Sequence, residues 1–169
     1  GIGDNTGLWN DEIMEIMEPL KKKGFKGVYS IDQINQVPFK KKDKRVSFIM
    51  NTSPSSKKDG HWVAVLLTPN KLEYYDSFAM EPSPAFKKNI QKVLARWSPN
   101  NPLQFKINRI KYQRNNSNNC GYFAMKFLKD RYDGKKFKEA SGFEKFSKVL
   151  KGEKEIRAFK KRLVQFDYI

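Results

Sequence analysis

The only cysteine of this chain, Cys120, and its only histidine, His61, are the residues best suited to do chemistry. A thiol that attacks a carbonyl needs a base for its proton, a group that holds the base, and a donor for the developing oxyanion. Gln113 stands seven residues before Cys120, in the run Gln113-Arg114-Asn115-Asn116-Ser117-Asn118-Asn119-Cys120-Gly121, and Asp76 stands fifteen residues after His61. His61 as base, Asp76 as its orienting carboxylate, Gln113 as oxyanion donor and Cys120 as nucleophile fill the four roles. Trp62, directly after the histidine, reads as a water shield or a wall of the substrate groove. Gly121 reads as a place where substrate backbone comes close. Each residue alone has a plainer reading, such as an inert buried thiol or a core tryptophan. It is their joint order and spacing that point to nucleophilic catalysis. Glu73 remains an alternative to Asp76, because alternation separates the two faces only if the strand runs straight through Asp76.

The elements that must position these residues show in the periodicity. Trp9, Ile13, Ile16, Met17 and Leu20 recur at spacings of three and four behind Asn10 and Asp11, which predicts a first helix. Gly24, Gly27 and Pro38 interrupt the next stretch, so 23–39 reads as loop with at most a short helix from Ser30. Arg45 to Asn51 reads as a strand. A polar stretch over 51–60 then leads into the β-rich His61 to Thr68, and Pro69-Asn70 turns the chain into Lys71 to Asp76. Such a hairpin sets His61 beside Asp76.

Ser83 and Pro84 start a helix with the stripe Phe86, Ile90, Val93, Leu94 and Trp97, and Leu103, Phe105 and Ile107 alternate as a strand. Another helix begins at Cys120, with Asn118 or Asn119 as its cap and Phe123, Ala124, Phe127 and Leu128 on its core face. A cysteine in that first turn feels the positive end of the helix, which favours thiolate. Beyond Gly134, Phe137, Phe143, Phe146 and Leu150 suggest one helical piece. Ile156, Phe159, Leu163 and Phe166 suggest a second, after Gly152. This mixture of strands and helices is α+β, and no repeat or linker divides residues 1–169 into two domains.

One Cys makes no internal disulfide, and one Cys with one His is too few soft ligands for zinc. No stretch approaches the roughly 20 apolar residues that span a bilayer, and Gly1 to Asp4 carry no signal architecture. An intracellular or particle-enclosed protein without membrane contact is expected. The net charge of +16, from 27 Lys and 7 Arg, points to a polyanionic partner. Residues 134–162 alone carry a net of +7 on segments with helical spacing. Abundant Lys and thirteen Asn on a solvated surface are the plainer account of any single cluster.

These residues resemble the adenovirus protease family and the wider clan that contains the SUMO- and ubiquitin-like-specific proteases, whose members share the chain order His, Asp or Glu, Gln, Cys. The matching residues are His61-Trp62, Asp76-Ser77, Gln113 and Cys120-Gly121. Gln113-x6-Cys120-Gly121-x-Phe123 is most similar to the adenovirus branch. Asp76-Ser77 is similar to the SUMO-protease branch, since adenovirus enzymes carry Glu there. Phe25-Lys26-Gly27-Val28-Tyr29 is similar to a Gly-rich stretch near the start of viral members.

The resemblance runs from about Gly24 to Arg131. It implies a mixed, largely antiparallel central sheet flanked by helices, with the nucleophile at the N-terminus of a helix. It implies a single cysteine protease domain over 1–169 that matures capsid or core precursors of a small double-stranded DNA virus, such as a virophage or Polinton-like element. Cleavage after small residues such as Gly follows, in the virion and the host cytoplasm. Adenovirus enzymes tether an activating peptide through an extra cysteine, and a disulfide-linked activator is not expected in a chain without one. No cofactor is required by the residues present. Duplex DNA is the expected partner of the Lys-rich surface and a candidate activator, and a monomer is expected.

Three other readings compete. One is a deconjugating isopeptidase for ubiquitin- or SUMO-like tails. Another is an acetyltransferase of the same clan that passes an acyl group from coenzyme A. The last is a non-enzymatic basic DNA-binding core protein, in which Cys120→Ala changes nothing.

Overall fold

Val63 to Leu67 form an unbroken apolar run, which suits a strand covered on both faces. A computed structural model describes residues 7–40, 42–57, 60–97, 104–111, 113, 117–141 and 149–165, and in it this run is the middle strand of a five-stranded sheet. The strands are β1 (Phe25–Ser30), β2 (Val46–Asn51), β3 (Trp62–Thr68), β4 (Lys71–Tyr75) and β5 (Gln104–Ile107), in spatial order β1-β2-β3-β4-β5. β3 pairs antiparallel with β2 and β4, while β1 and β5 join the edges in parallel. β3 alone therefore runs against the other four.

Alternation along β3 divides the core. Trp62, Ala64 and Leu66 join one buried cluster with α1 (Asn10–Met17), α3 (Cys120–Tyr132), α4 (Phe137–Ser141) and α5 (Val149–Gln165). Val63, Val65 and Leu67 join the other with α2 (Pro84–Trp97) and the 3-10 turn Ile31–Gln36. The α+β class, with a mixed sheet between helices, is the one expected. α2 starts where Ser83 predicts, with the Ser83 hydroxyl accepting the Phe86 N–H at 3.2 Å.

Two expectations are corrected. The stretch read as loop contains the edge strand β1, with the short helix following from Ile31. The glycines that suggested a loop instead shape the strand: its register with β2 shifts between Phe25 and Val28, and Gly27 lies there with φ 121°. Gly24, at φ 123°, brings its Cα so close to the Arg45 carbonyl that a Cβ would lie 2.2 Å from that oxygen. The second correction is α5, which begins at Val149 and runs through Gly152. Its Ile156, Phe159 and Leu163 are buried, and helical hydrogen bonding tolerates one glycine at about 1 kcal/mol. Phe137 belongs to the separate short α4. Leu103, Phe143, Phe146 and Phe166 lie outside the described residues, as does the Leu150 side chain.

Candidate active site

β3 and β4 are joined over two residues, with Thr68 opposite Lys71. His61 comes just before β3 and Asp76 just after β4, so the open end of the hairpin brings them together. His61 Nε2 lies 2.5 Å from Asp76 Oδ1. The polar loop before His61 is tied to the sheet by Thr52, whose hydroxyl accepts the His61 N–H at 3.2 Å and whose N–H donates to the His61 carbonyl at 2.9 Å.

Asp76 is held from several directions. Its Oδ1 also accepts the Phe78 N–H at 2.8 Å. Asn108, buried just past β5, accepts the Asp76 N–H at 2.9 Å and donates to the Asp76 carbonyl at 2.5 Å, acting as a side-chain extension of the ladder. Ala79 closes the corner with an N–H to the Asp76 carbonyl at 2.7 Å and sits at φ 57°, a left-handed conformation uncommon for a residue with a Cβ. The Phe78 ring lies on the imidazole with centroids 4.6 Å apart.

With Nε2 given to Asp76, Nδ1 is the nitrogen left for Cys120, to which the imidazole is also hydrogen-bonded. Burial is the largest influence on His61 and pulls its pKa down. The hydrogen bonds to Asp76 and Cys120 and the charges of both together outweigh it, raising the pKa from 6.5 to about 9. Protonated His61 thus stabilises the fold. That contribution is complete below pH 6.5 and is lost as pH rises through about 9. The wild-type Tm is expected to fall by several degrees between pH 6.5 and 9.5, and by less in His61→Gln, measured by calorimetry at matched ionic strength. Equal slopes in the two proteins would contradict this assignment.

Gln113 is fully buried, and the same corner fixes it. Ser77 Oγ donates to Gln113 Oε1 at 2.5 Å, the Gln113 N–H donates to the Ser77 carbonyl at 3.1 Å, and Gln113 Nε2 donates to the Ser117 carbonyl at 2.7 Å. Cys120 is a free, half-buried thiol at the first position of α3. Asn119 occupies the cap position, yet its side chain makes no capping bond.

Trp62 and Gly121, expected to shield the site or to let substrate approach, both pack at the start of α3. Trp62 is 7% exposed, its Nε1 donates to the Leu8 carbonyl at 3.2 Å, and it packs in the core under the start of α3. Gly121 is buried against it: a Cβ there would meet Leu8 Cδ1 at 3.0 Å and Trp62 Cδ1 at 3.2 Å. The absent side chain lets α3 settle onto Trp62, so both residues support the helix start where Cys120 stands. Glu73 faces elsewhere. It is 2% exposed and receives Arg131 Nε and Nη2 at 2.8 and 2.7 Å, a bidentate pair between β4 and α3.

Asn108, Ser77 and Phe78 are site residues that sequence reasoning missed as anchors. A single Asn after a strand, or Ser-Phe in a turn, has no periodic signal. Only the short spacing of Ser77 and Phe78 from Asp76 was there to find them. Among the described residues, no group of three or more His, Cys, Asp or Glu is placed to hold a metal ion. No helix there is long and apolar enough to cross a membrane.

A family model, that of the Ulp1 protease family C-terminal catalytic domain, matches residues 9–167. The chain belongs to this family. No curated protein matches it. Among solved structures the Ulp1-family chain is similar to the ASFV pS273R protease, with TM-score 0.70 and 16% identity over 94% of this chain and 67% of that one. It is similar to the C-terminal Ulp1 protease domain solved in complex with Smt3, the yeast ortholog of SUMO, with TM-score 0.62 and 14% identity over 95% and 77%. A third similarity is to the central domain of uncharacterized Lpg1148 from Legionella pneumophila, with TM-score 0.57 and 13% identity over 95% and 97%. At these identities the structures speak for the fold, which is that of a Ulp1-like cysteine protease. The matching family is the one on the side of the clan that Asp76-Ser77 resembles.

Proposed function

We propose that this Ulp1-family chain is a thiol endopeptidase that matures capsid or core precursors of a double-stranded DNA virus, cutting after small residues such as Gly. The observation that carries the reading is the imidazole of His61 held between Asp76 and Cys120. With His61 raised to about 9, an imidazolium faces the Cys120 sulfur at neutral pH, the partner that activates a thiol as nucleophile. The thiolate adds to the scissile carbonyl carbon and forms a C–S bond. The charge moves to the carbonyl oxygen, which meets the Gln113 side-chain amide and the Cys120 backbone N–H. One Gln113 N–H is already committed to Ser117, leaving the second for the oxyanion. Collapse breaks the C–N bond, and Nδ1–H gives its proton to the departing amine. Water then attacks the thioester carbon while Nδ1 takes its proton, the C–S bond breaks, and the thiolate returns. Asp76 keeps Nδ1 aimed at sulfur throughout.

The fold shared with a protease of the virus ASFV supports the viral setting. The charge of +16 supports duplex DNA as the partner that keeps a monomeric enzyme among its substrates, in the viral factory and the virion. The chemistry needs no metal or organic cofactor. A second reading, deconjugation of a ubiquitin-like modifier, is favoured by the family match and uses the same residues.

Two substrates separate them: a short peptide ending in Gly-Gly or Gly-Ala before a fluorogenic group, and a folded modifier carrying the same tail, each with and without duplex DNA. Peptide turnover stimulated by DNA is expected. Cleavage restricted to the folded modifier moves the assignment to deconjugation. An absence of both, with no labelling of Cys120 by an electrophilic peptide, overturns the protease chemistry itself.

A further inference from the structure

Two buried ionisable groups take no part in this chemistry. Glu153 and Lys160 are each 8% exposed, although removing such groups from water costs several kcal/mol apiece. They lie seven residues apart on α5, about two turns, and so share one face. Both reach the same side chain. Asn119 Nδ2 donates to Glu153 Oε2 at 2.9 Å, and Lys160 Nζ donates to Asn119 Oδ1 at 3.1 Å. The Lys160 ammonium also lies 4.8 Å from the centre of the Tyr122 ring. Asn119 is the residue before Cys120.

An asparagine at a helix cap ordinarily turns its side-chain oxygen onto the N–H of the second or third helical residue, here Gly121 or Tyr122. Asn119 does not. Its backbone, at φ −91° and ψ 9°, departs from the extended conformation of such caps, while its carbonyl still opens the helix by accepting the Phe123 N–H at 3.0 Å. A capping oxygen in that turn would occupy a donor and bring negative partial charge next to the thiolate and the oxyanion.

We infer that Glu153 and Lys160 are positioning residues that hold the Asn119 side chain away from the start of α3, keeping its first-turn N–H groups available to the sulfur and the reacting carbonyl. The inference rests on the thiol-peptidase reading and adds α5 to its machinery. The two charges are matched to the two ends of one amide, cation to oxygen and anion to nitrogen. This fixes its orientation more tightly than either bond alone.

The test is a rescue. Glu153→Leu with Lys160→Met removes both holds while keeping apolar bulk in the core. The double variant is expected to lose about tenfold or more in kcat with KM within about twofold, because a capping oxygen on the Gly121 or Tyr122 N–H weakens the positive end of α3 that faces thiolate and oxyanion. The pH midpoint of Cys120 alkylation by iodoacetamide should move up. Adding Asn119→Gly deletes the oxygen that would cap, and glycine is nearly as good a cap residue. The triple variant should therefore recover most of the rate and the original midpoint. A purely structural clamp predicts no recovery. An unchanged double variant, or a triple variant no better than the double, overturns the inference. If the double variant does not fold, Lys160→Met alone releases Oδ1, and the same comparison with and without Asn119→Gly decides. Alkylation is read without substrate, so failure of the clamp is distinguishable from failure of the protease reading, which Cys120→Ala judges separately.

Discussion

Asp76→Asn is expected to lower kcat by about a thousand- to ten-thousand-fold with KM little changed, whereas Glu73→Gln leaves kcat near wild type. Asp76 Oδ1 is the acceptor for His61 Nε2. Asn is nearly isosteric, and Asn108 would still grip its backbone, so the corner should survive. The amide, however, removes the charge that favours imidazolium. It can also present an N–H to Nε2, which then has to be unprotonated and leaves the proton on Nδ1. That tautomer cannot accept a proton from thiol or water. Glu73→Gln instead breaks a bidentate pair with Arg131, and loss of one charge of a buried pair destabilises by about 3 kcal/mol or more. Steady-state kinetics and calorimetry on both variants make the comparison. A crippled kcat in Glu73→Gln beside a working Asp76→Asn would reverse the assignment.

Cys120→Ala is expected to abolish turnover, a loss of at least about a hundred-thousand-fold, the scale seen when a nucleophile is deleted. Cys120→Ser should fare little better, because an alcohol at this site lacks the low proton affinity that lets His61 and the helix start hold a charged nucleophile. Cys120 is half-buried, and alanine keeps its Cβ, so Tm should stay within a few degrees. Turnover by rigorously purified Cys120→Ala would remove the thiol from the mechanism. Equal DNA binding with no turnover in either protein would leave a basic core protein.

The hairpin was legible because Pro69-Asn70 separates two β-rich runs whose outer ends must then meet. The same rule located α2, through Ser83-Pro84 and an apolar stripe. β1 was not legible: Gly24 and Gly27 are loop residues by composition, and only the Arg45 carbonyl crowding one and the shifted register around the other make them strand residues. For the site, residue type and chain order could be read. Which ring nitrogen faces the carboxylate could not, nor that Trp62 and Gly121 pack on each other, because both depend on how α3 settles on the sheet. Asn119 was legible as a cap by position. Its diversion depends on Glu153 and Lys160, thirty-four and forty-one residues away, which no local pattern encodes.

The Glu73–Arg131 pair also bears on ionic strength. Mobile ions screen charges across water over roughly 8–10 Å near physiological salt but reach a buried, bidentate pair hardly at all. Through this pair β4, which ends at Tyr75 just before Asp76, is fastened to α3, which begins at Cys120. Added salt therefore leaves the spacing between Asp76 and Cys120 intact, while it loosens exposed lysines from any polyanion. A rate that falls with salt when DNA is present, and holds steady when it is absent, reports release from the polymer and not damage to the catalytic centre.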